Sequence, residues 1–411
     1  MAPHAQLAPG TFQPLTGTRV LDFSKILAGP LCTQYLGDMG AEVIKIEPCK
    51  GGDDTRGWPP FEDGVGAIFL AVNRNKRSLA LDLKSPEGLE VCMRLVKQAD
   101  VVVESFGPGV AERLGIDHEN LKAINPRLVY CSLSGYGTRG PMKDGKGYDL
   151  ILQAFCGMVS ITGQPDGPPA RSPFSPVDQG TGLHAIIAIM AALMQRAATG
   201  EGMKLEVSLF DTAVSFLGYF LQGYWQRGTE PKRVGSGHES LCPYQSFETK
   251  DNPLILGIAS DGLWRGFCDL AGEPELASDP RFAASADRVA NRAETVAEVT
   301  RIMATRTRED WTRHLEECGI PCSPVHNIGE LANHPHTEAS DMILAYRNER
   351  GHDLKGVSAP VRVDGERPKL RRPPPALGQD SMVILSELGY APDEVDALLE
   401  NRVVVAGEAR T

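Results

Sequence analysis

Short apolar runs alternate with longer amphipathic stretches through the first half of the chain. Residues 19–24 (RVLDFS) and 42–47 (EVIKIE) read as strands on either side of a helix that follows Pro30, a strand–helix–strand unit. The unit recurs. Ser85 and Pro86 form an N-cap with a first-turn proline, the helix they open runs to about Lys97, and 101–104 (VVVE) is the near-continuous apolar strand expected where both faces are buried. Asp117 caps a helix from about His118 that stops before Pro126 and leads to a strand at 127–133. This alternation predicts an α/β fold built on a doubly wound parallel sheet.

Two long helices are expected next, at 148–159 and 179–198, the second closing at Thr199-Gly200 where a C-terminal glycine belongs. A strand at 204–209 and a helix to about 226 complete a large domain over 1–225. The polar, basic, glycine-containing stretch Gly228–Gly237 marks a linker at 226–239. Residues 240–330 read as a smaller α+β domain, with a hairpin in 242–258 turning at Lys250-Asp251-Asn252 and three helical stretches to about 317. In the segment 331–411, Arg371 to Pro375 is a rigid connector, and the apolar positions of helices near 380–388 and 392–400 need a partner surface. The tail is therefore expected to return to the first domain.

At 411 residues the chain exceeds one typical domain, and 42 Lys+Arg against 53 Asp+Glu leave it at −11. Neither a nucleic acid nor an anionic membrane has global electrostatic support as a partner. An anionic ligand must be held by local positive groups. Nine scattered cysteines, an odd count, fit thiols in a reducing compartment, and Cys318 with Cys322 alone does not make a zinc site. Met1–Gly17 lacks the basic start and apolar core of a targeting segment and reads as a flexible arm. The longest apolar run, Ala185–Met194, falls short of the ~20 residues of a membrane span, so a cytoplasmic location is expected.

The turn after the first strand, Lys25 to Pro30, lacks the G-x-G-x-x-G of dinucleotide sites; no P-loop, H-E-x-x-H or G-x-S-x-G occurs either. Positive residues collect in the first half: Lys45, Arg56, Arg74, Lys76, Arg77, Arg113 and Lys146. The cluster at 74–77, before a strand expected at 78–83, either grips phosphates or is a solvated run of ion pairs. Asp178 opens a long apolar helix. It is either an N-cap or a carboxylate kept ionised by the helix start and able to attack a thioester, with Gly180 and Gly182 leaving room for a bulky substrate. His184 reads as a satisfied core histidine, and His238 follows a glycine-containing stretch that is either a connector or a mobile loop over a site.

Read together, the segments resemble the class III CoA-transferases, the family of formyl-CoA transferase and carnitine CoA-transferase. The resemblance rests on G-T-R-V-L-D-F-S-K-I-L-A-G-P (17–30), G-A-E-V-I-K-I-E-P (40–48), G-D-D-T-R (52–56), N-R-N-K-R-S (73–78) and V-E-S-F-G-P-G (103–109). It continues through T-G-Q-P-D-G-P-P (162–169), D-Q-G-T-G (178–182), D-P-R-F (279–282), G-I-P-C-S-P-V (319–325) and L-S-E-L-G-Y (385–390). It implies an acyl-CoA donor, a small carboxylic acid acceptor, coenzyme A as substrate and no permanently bound cofactor or metal. Asp178 matches the family's catalytic aspartate, implying transfer through mixed anhydrides and an aspartyl-CoA thioester. CoA contacts carry over to Ile26, Leu27, Ala28, Arg77, Phe106, Arg113 and Lys146. The loop Gly235, Ser236, Gly237, His238 is implied to cover the intermediate, with Tyr148 and Arg171 as further candidates on the substrate side. The family's architecture implies an interlocked homodimer whose large domains are built from both chain ends.

The chain departs from the family pattern at Pro48, Ser105 and Asp380-Ser381. A 2-methylacyl-CoA racemase shares the implied fold but needs a His before an Asp, where this chain has Tyr148-Asp149, and tyrosine's pKa of ~10 makes it a poor neutral base. Two rivals come from other classes: a noncatalytic acyl-CoA-binding protein, in which Asp178 only caps its helix, and a nicotinamide oxidoreductase, which the missing glycine fingerprint disfavours. Segments 232–238 and 242–251 are most similar to the dicarboxylate-using, succinyl-CoA:glutarate-type branch, and Arg171 and His238 are either grips for a second carboxylate or structurally paired side chains.

Overall fold

The computed structural model describes residues 12–407. They fall into two compact units, one of 1–156, 173–219 and 338–411 and one of 157–172 and 220–337, the outermost termini of the first being outside the described residues. The first unit contains β1 (Arg19–Asp22), α1 (Ala28–Asp38), β2 (Glu42–Glu47), β3 (Lys76–Leu81), α2 (Pro86–Val96), β4 (Val101–Glu104) and β5 (Val129–Ser134). It continues with α3 (Asp149–Phe155), α4 (Pro176–Thr199), β6 (Met203–Ser208) and, near its end, β7 (Val404–Val405). The seven strands form one sheet in the order β7-β3-β2-β1-β4-β5-β6. All neighbours are parallel except β7, which pairs antiparallel with β3.

Side chains alternate across the strands, so each face carries its own core. Val20, Val43, Val101, Val103 and Val129 meet Cys32 and Leu36 of α1 and Ala185, Ile189 and Ala192 of α4. On the other face Leu21, Ile44, Leu79 and Val102 meet Val91 and Leu95 of α2, with Ile384, Leu385, Val395 and Leu398 from the tail helices. The tail thus supplies both an edge strand and part of a helical layer, which is the partner surface its apolar positions required. Asp380 and Ser381, one of the departures from the family pattern, make this junction: Asp380 accepts the Ser78 N–H at 2.9 Å and the Ser381 hydroxyl donates to the Val405 carbonyl at 2.7 Å.

Several expectations need correction. Of the arm expected at Met1–Gly17, residues 1–11 lie outside the described residues, and the remainder is anchored: Leu15 is buried and its N–H meets the Met39 carbonyl at 3.0 Å. The strand placed at 78–83 begins at Lys76, which carries the basic cluster into the sheet. α4 starts at Pro176 and is 24 residues, long and apolar enough by length and composition to cross a membrane, more than the run Ala185–Met194 suggested. Here its inner face is part of the sheet's core.

The second unit packs helices Asp261–Ala271, Arg292–Met303 and Arg308–Glu317 against an antiparallel sheet of Tyr244–Glu248, Pro253–Gly257 and Cys322–Pro324. Trp264, Phe267, Phe282 and Trp311 fill its core. Its limits are wider than 240–330, and the segment expected as a linker belongs to it. Gly235 donates its N–H to the Gly163 carbonyl at 3.0 Å, and Arg233 reaches the Gly167 carbonyl at 3.0 Å, tying that segment to 157–172.

Candidate functional site

Strand order in the large sheet reverses between β1 and β4. In open α/β sheets this is where a crevice opens beyond the carboxyl ends of the strands. A cavity of ≈ 710 Å³ lies there, walled by the turn after β1 (Lys25–Ala28), the loop after β4 (Ser105–Gly109) and the glycine-rich loop that follows β5. Of the residues anticipated from sequence, Ile26, Leu27, Ala28, Phe106, Lys146, Tyr148 and Asp178 line it together. Arg77 and Arg113 do not.

Asp178 is not the helix cap. α4 begins at Pro176, so Asp178 is its third residue, while the cap position is Ser175, at φ 53° and making no side-chain cap. The cap comes from another element. Asp149, buried at the start of α3, accepts the backbone N–H groups of Val177 at 2.9 Å and Asp178 at 3.1 Å on Oδ2, and its Oδ1 accepts from the Gln153 side chain. The N–H groups expected to keep Asp178 ionised are therefore spent on Asp149. Among the described residues no hydrogen bond or ion pair is made to the Asp178 carboxyl. Burial, and then the adjacent Asp149 charge, push its pKa up to about 7. Instead of being permanently ionised, this carboxyl is divided between its two forms at neutral pH.

Most of the basic cluster is already paired. Lys76 is fully buried and bonds Asp22 at 3.0 Å, the Pro30 carbonyl at 2.9 Å and Asn73 at 2.8 Å. Lys45, equally buried, pairs with Asp53 at 3.0 Å and donates to the Ser24 carbonyl at 2.8 Å. Arg56 forks onto Glu47, Arg74 onto Asp38, and Arg77 bridges Glu42 and Glu387. These charges hold segments of the large unit together rather than waiting for a phosphate. Arg113 lies beside Gly109, outside the cavity lining.

The cations that do face the cavity are Lys25, Lys143, Lys146 and Lys204. Lys25 is within 3.7 Å of Asp54 and Lys204 within 2.8 Å of Glu206, whereas Lys143 and Lys146 have no ion-pair partner among the described residues. Sequence does not single out Lys25, Lys143 and Lys204, because no spacing sets them apart from surface lysines. Asp149 figures in the sequence only as the residue after Tyr148, since nothing local announces a cap supplied from 28 residues away. The earlier helix start does have a signal, the proline at 176 directly after a serine.

Arg171 and Gly235, Ser236, Gly237 and His238 belong to the second unit. Arg171 is exposed; the Ser236 hydroxyl accepts the Ser246 N–H at 3.0 Å, and the His238 N–H donates to the Tyr244 carbonyl at 3.1 Å. His184 lies half-buried on α4, 3.0 Å from the Thr212 hydroxyl, as expected of a satisfied core histidine. Among the described residues no cluster of three or more His, Cys, Asp or Glu is arranged to hold a metal.

The model of CoA-transferase family III matches residues 15–381. An acyl-CoA transferase of Fusarium pseudograminearum is 39% identical over 95% of this chain and 88% of its own length. The succinate–glutarate CoA-transferase of Agrobacterium fabrum is 37% identical over 92% of this chain and 97% of its own. A crystal structure of a CaiB/BaiF family protein from Brucella suis superimposes with a TM-score of 0.82 at 37% identity, covering 92% of this chain and all of that one.

Proposed function

This chain belongs to CoA-transferase family III, and we propose that it moves coenzyme A from succinyl-CoA or another dicarboxylyl-CoA to a free carboxylic acid, with Asp178 as the carrier. The enzyme class follows from the family. The dicarboxylate preference is supported by the Agrobacterium fabrum relative, named for succinate and glutarate. The observation that carries the mechanism is the Asp178 carboxyl itself, which lines the cavity and is committed to no hydrogen bond or ion pair among the described residues.

In the proposed cycle Asp178, deprotonated, attacks the thioester carbonyl of the donor. The carbon–sulfur bond breaks, giving a mixed anhydride and CoA thiolate. The thiolate attacks the aspartyl carbonyl of that anhydride, expelling the donor acid and leaving an aspartyl-CoA thioester. The acceptor carboxylate then attacks this thioester, releasing thiolate and forming a second anhydride. Attack of the thiolate on the acceptor's acyl carbon completes acceptor-CoA and restores the Asp178 carboxylate. Each bond broken is replaced by one of similar energy, so the protein's task is orientation and exclusion of water.

The reading extends to a homodimer, supported by exposed apolar side chains on the outer side of α4, Leu183, Ile187 and Met194. Incubation with succinyl-CoA and glutarate should form glutaryl-CoA, and protein quenched during turnover should carry a CoA-sized adduct on the peptide containing Asp178. Turnover with no adduct, trapped by hydroxylamine or seen by mass spectrometry, sinks the covalent route.

A further inference from the structure

We infer that Asp53 is a positioning residue for transfer, clamping the cavity turn Lys25–Ala28 in a backbone shape that Ile26 does not adopt unaided. Ile26 has φ +73°. A β-branched side chain is rarely found in the left-handed region, and such strain persists only where surrounding groups over-determine it. Here two neighbours do so. The Ile26 N–H lies 3.3 Å from each Asp53 carboxylate oxygen, and the preceding N–H, of Lys25, donates to the Ser105 hydroxyl at 3.0 Å.

Asp53 is itself immobilised. It has no exposed surface, pairs with the buried Lys45 at 3.0 Å, and accepts the Thr55 N–H at 3.0 Å and hydroxyl at 2.8 Å. Glu47 in turn accepts the Asp53 N–H at 3.0 Å. A chain of buried charge thus ends on one strained peptide. That peptide sets how Ile26, Leu27 and Ala28 face the cavity shared with Asp178, and α1 starts directly after it with no side-chain cap. The inference rests on the transfer reading above, because it is the approach of acyl-CoA to Asp178 that the turn would govern.

The test is a double-mutant cycle between Asp53→Ala and Ile26→Gly, since glycine takes positive φ without strain. Asp53→Ala is expected to lower kcat/KM for CoA transfer, and to weaken CoA binding measured by calorimetry, by about tenfold. In the I26G background the same replacement should change either quantity less than about threefold. Ser105→Ala, which leaves the buried charges untouched, should show a smaller loss of the same kind that I26G also suppresses. If D53A and S105A each cost as much in the I26G background as in the wild-type one, measured on the folded fraction, the inference is overturned, as it is by a D53A enzyme with unchanged transfer and CoA affinity. Absence of transfer by the wild-type chain overturns the transfer reading instead, and the CoA-affinity cycle then still decides the role of Asp53.

Discussion

Asp149 supports the backbone of Asp178 while opposing the charge on its side chain. Its Oδ2 accepts the Asp178 N–H at 3.1 Å, and its charge adds to burial in raising the Asp178 pKa to about 7. A nucleophilic carboxylate must be ionised, so kcat/KM for transfer should rise with pH and level off above about 7. Asp149→Asn keeps an acceptor for the helix N–H groups and removes the charge, so the acid limb should move to lower pH. A pH profile of succinyl-CoA-dependent transfer checks this, and a limb that stays in place in the variant shows that another group controls it.

The same shift has a cost in stability. A carboxyl whose pKa is raised on folding binds protons more tightly in the native state, so stability falls as pH rises from about 4 to about 7 and is flat above. Asp178→Asn removes that penalty. It should abolish transfer yet make the protein more stable at pH 8 by roughly 2–4 kcal/mol, with little change at pH 4. Urea unfolding at the two pH values, beside the activity assay, tests both halves. A variant that is inactive and also less stable at pH 8 would point to a structural role.

Much of the fold was legible in the sequence because strands buried on both faces and capped helices leave local marks: Val101–Glu104, the Ser85-Pro86 start and the Gly200 stop all stand where the pattern puts them. The site was legible only in part. Ile26, Leu27, Ala28, Phe106, Lys146, Tyr148 and Asp178 do meet in one cavity. The basic cluster misleads, because a lysine bound for a buried carboxylate and one bound for a phosphate look alike until their partners are known. Lys76 meets Asp22 across 54 residues and Arg77 meets Glu387 across 310, separations that no local pattern encodes.

That placement separates stability from ligand binding. Lys76→Met leaves Asp22 buried without its nearest cation and should cost roughly 3–5 kcal/mol. KM for acyl-CoA, measured at low temperature on the folded fraction, should stay near the wild-type value because Lys76 does not line the cavity. Lys143→Ala should do the reverse, raising that KM with little change in the melting temperature. If Lys76→Met instead raised KM with wild-type stability, the lysine would be a ligand contact and the ion-pair account would be wrong.

Gly182 fixes how closely the helix of the proposed nucleophile approaches the turn after β1. A Cβ at that position would sit 2.6 Å from the Ala28 carbonyl oxygen, a backbone atom that cannot swing aside as a side-chain tip can. Ala28 lines the cavity and Asp178 stands one helical turn before Gly182, so relief of the clash must change the spacing between the turn and the carboxyl. Gly182→Ala should therefore lose tenfold or more in kcat/KM, since small misplacements of reacting groups are costly, and about 1–3 kcal/mol of stability from overpacking. Gly218→Ala, where an added Cβ meets nothing within 4 Å, is the control and should leave both unchanged. Kinetics and thermal melts of the two variants decide the matter. A Gly182→Ala enzyme with wild-type transfer would mean that the close contact between α1 and α4 is packing alone and does not set the geometry of the reaction.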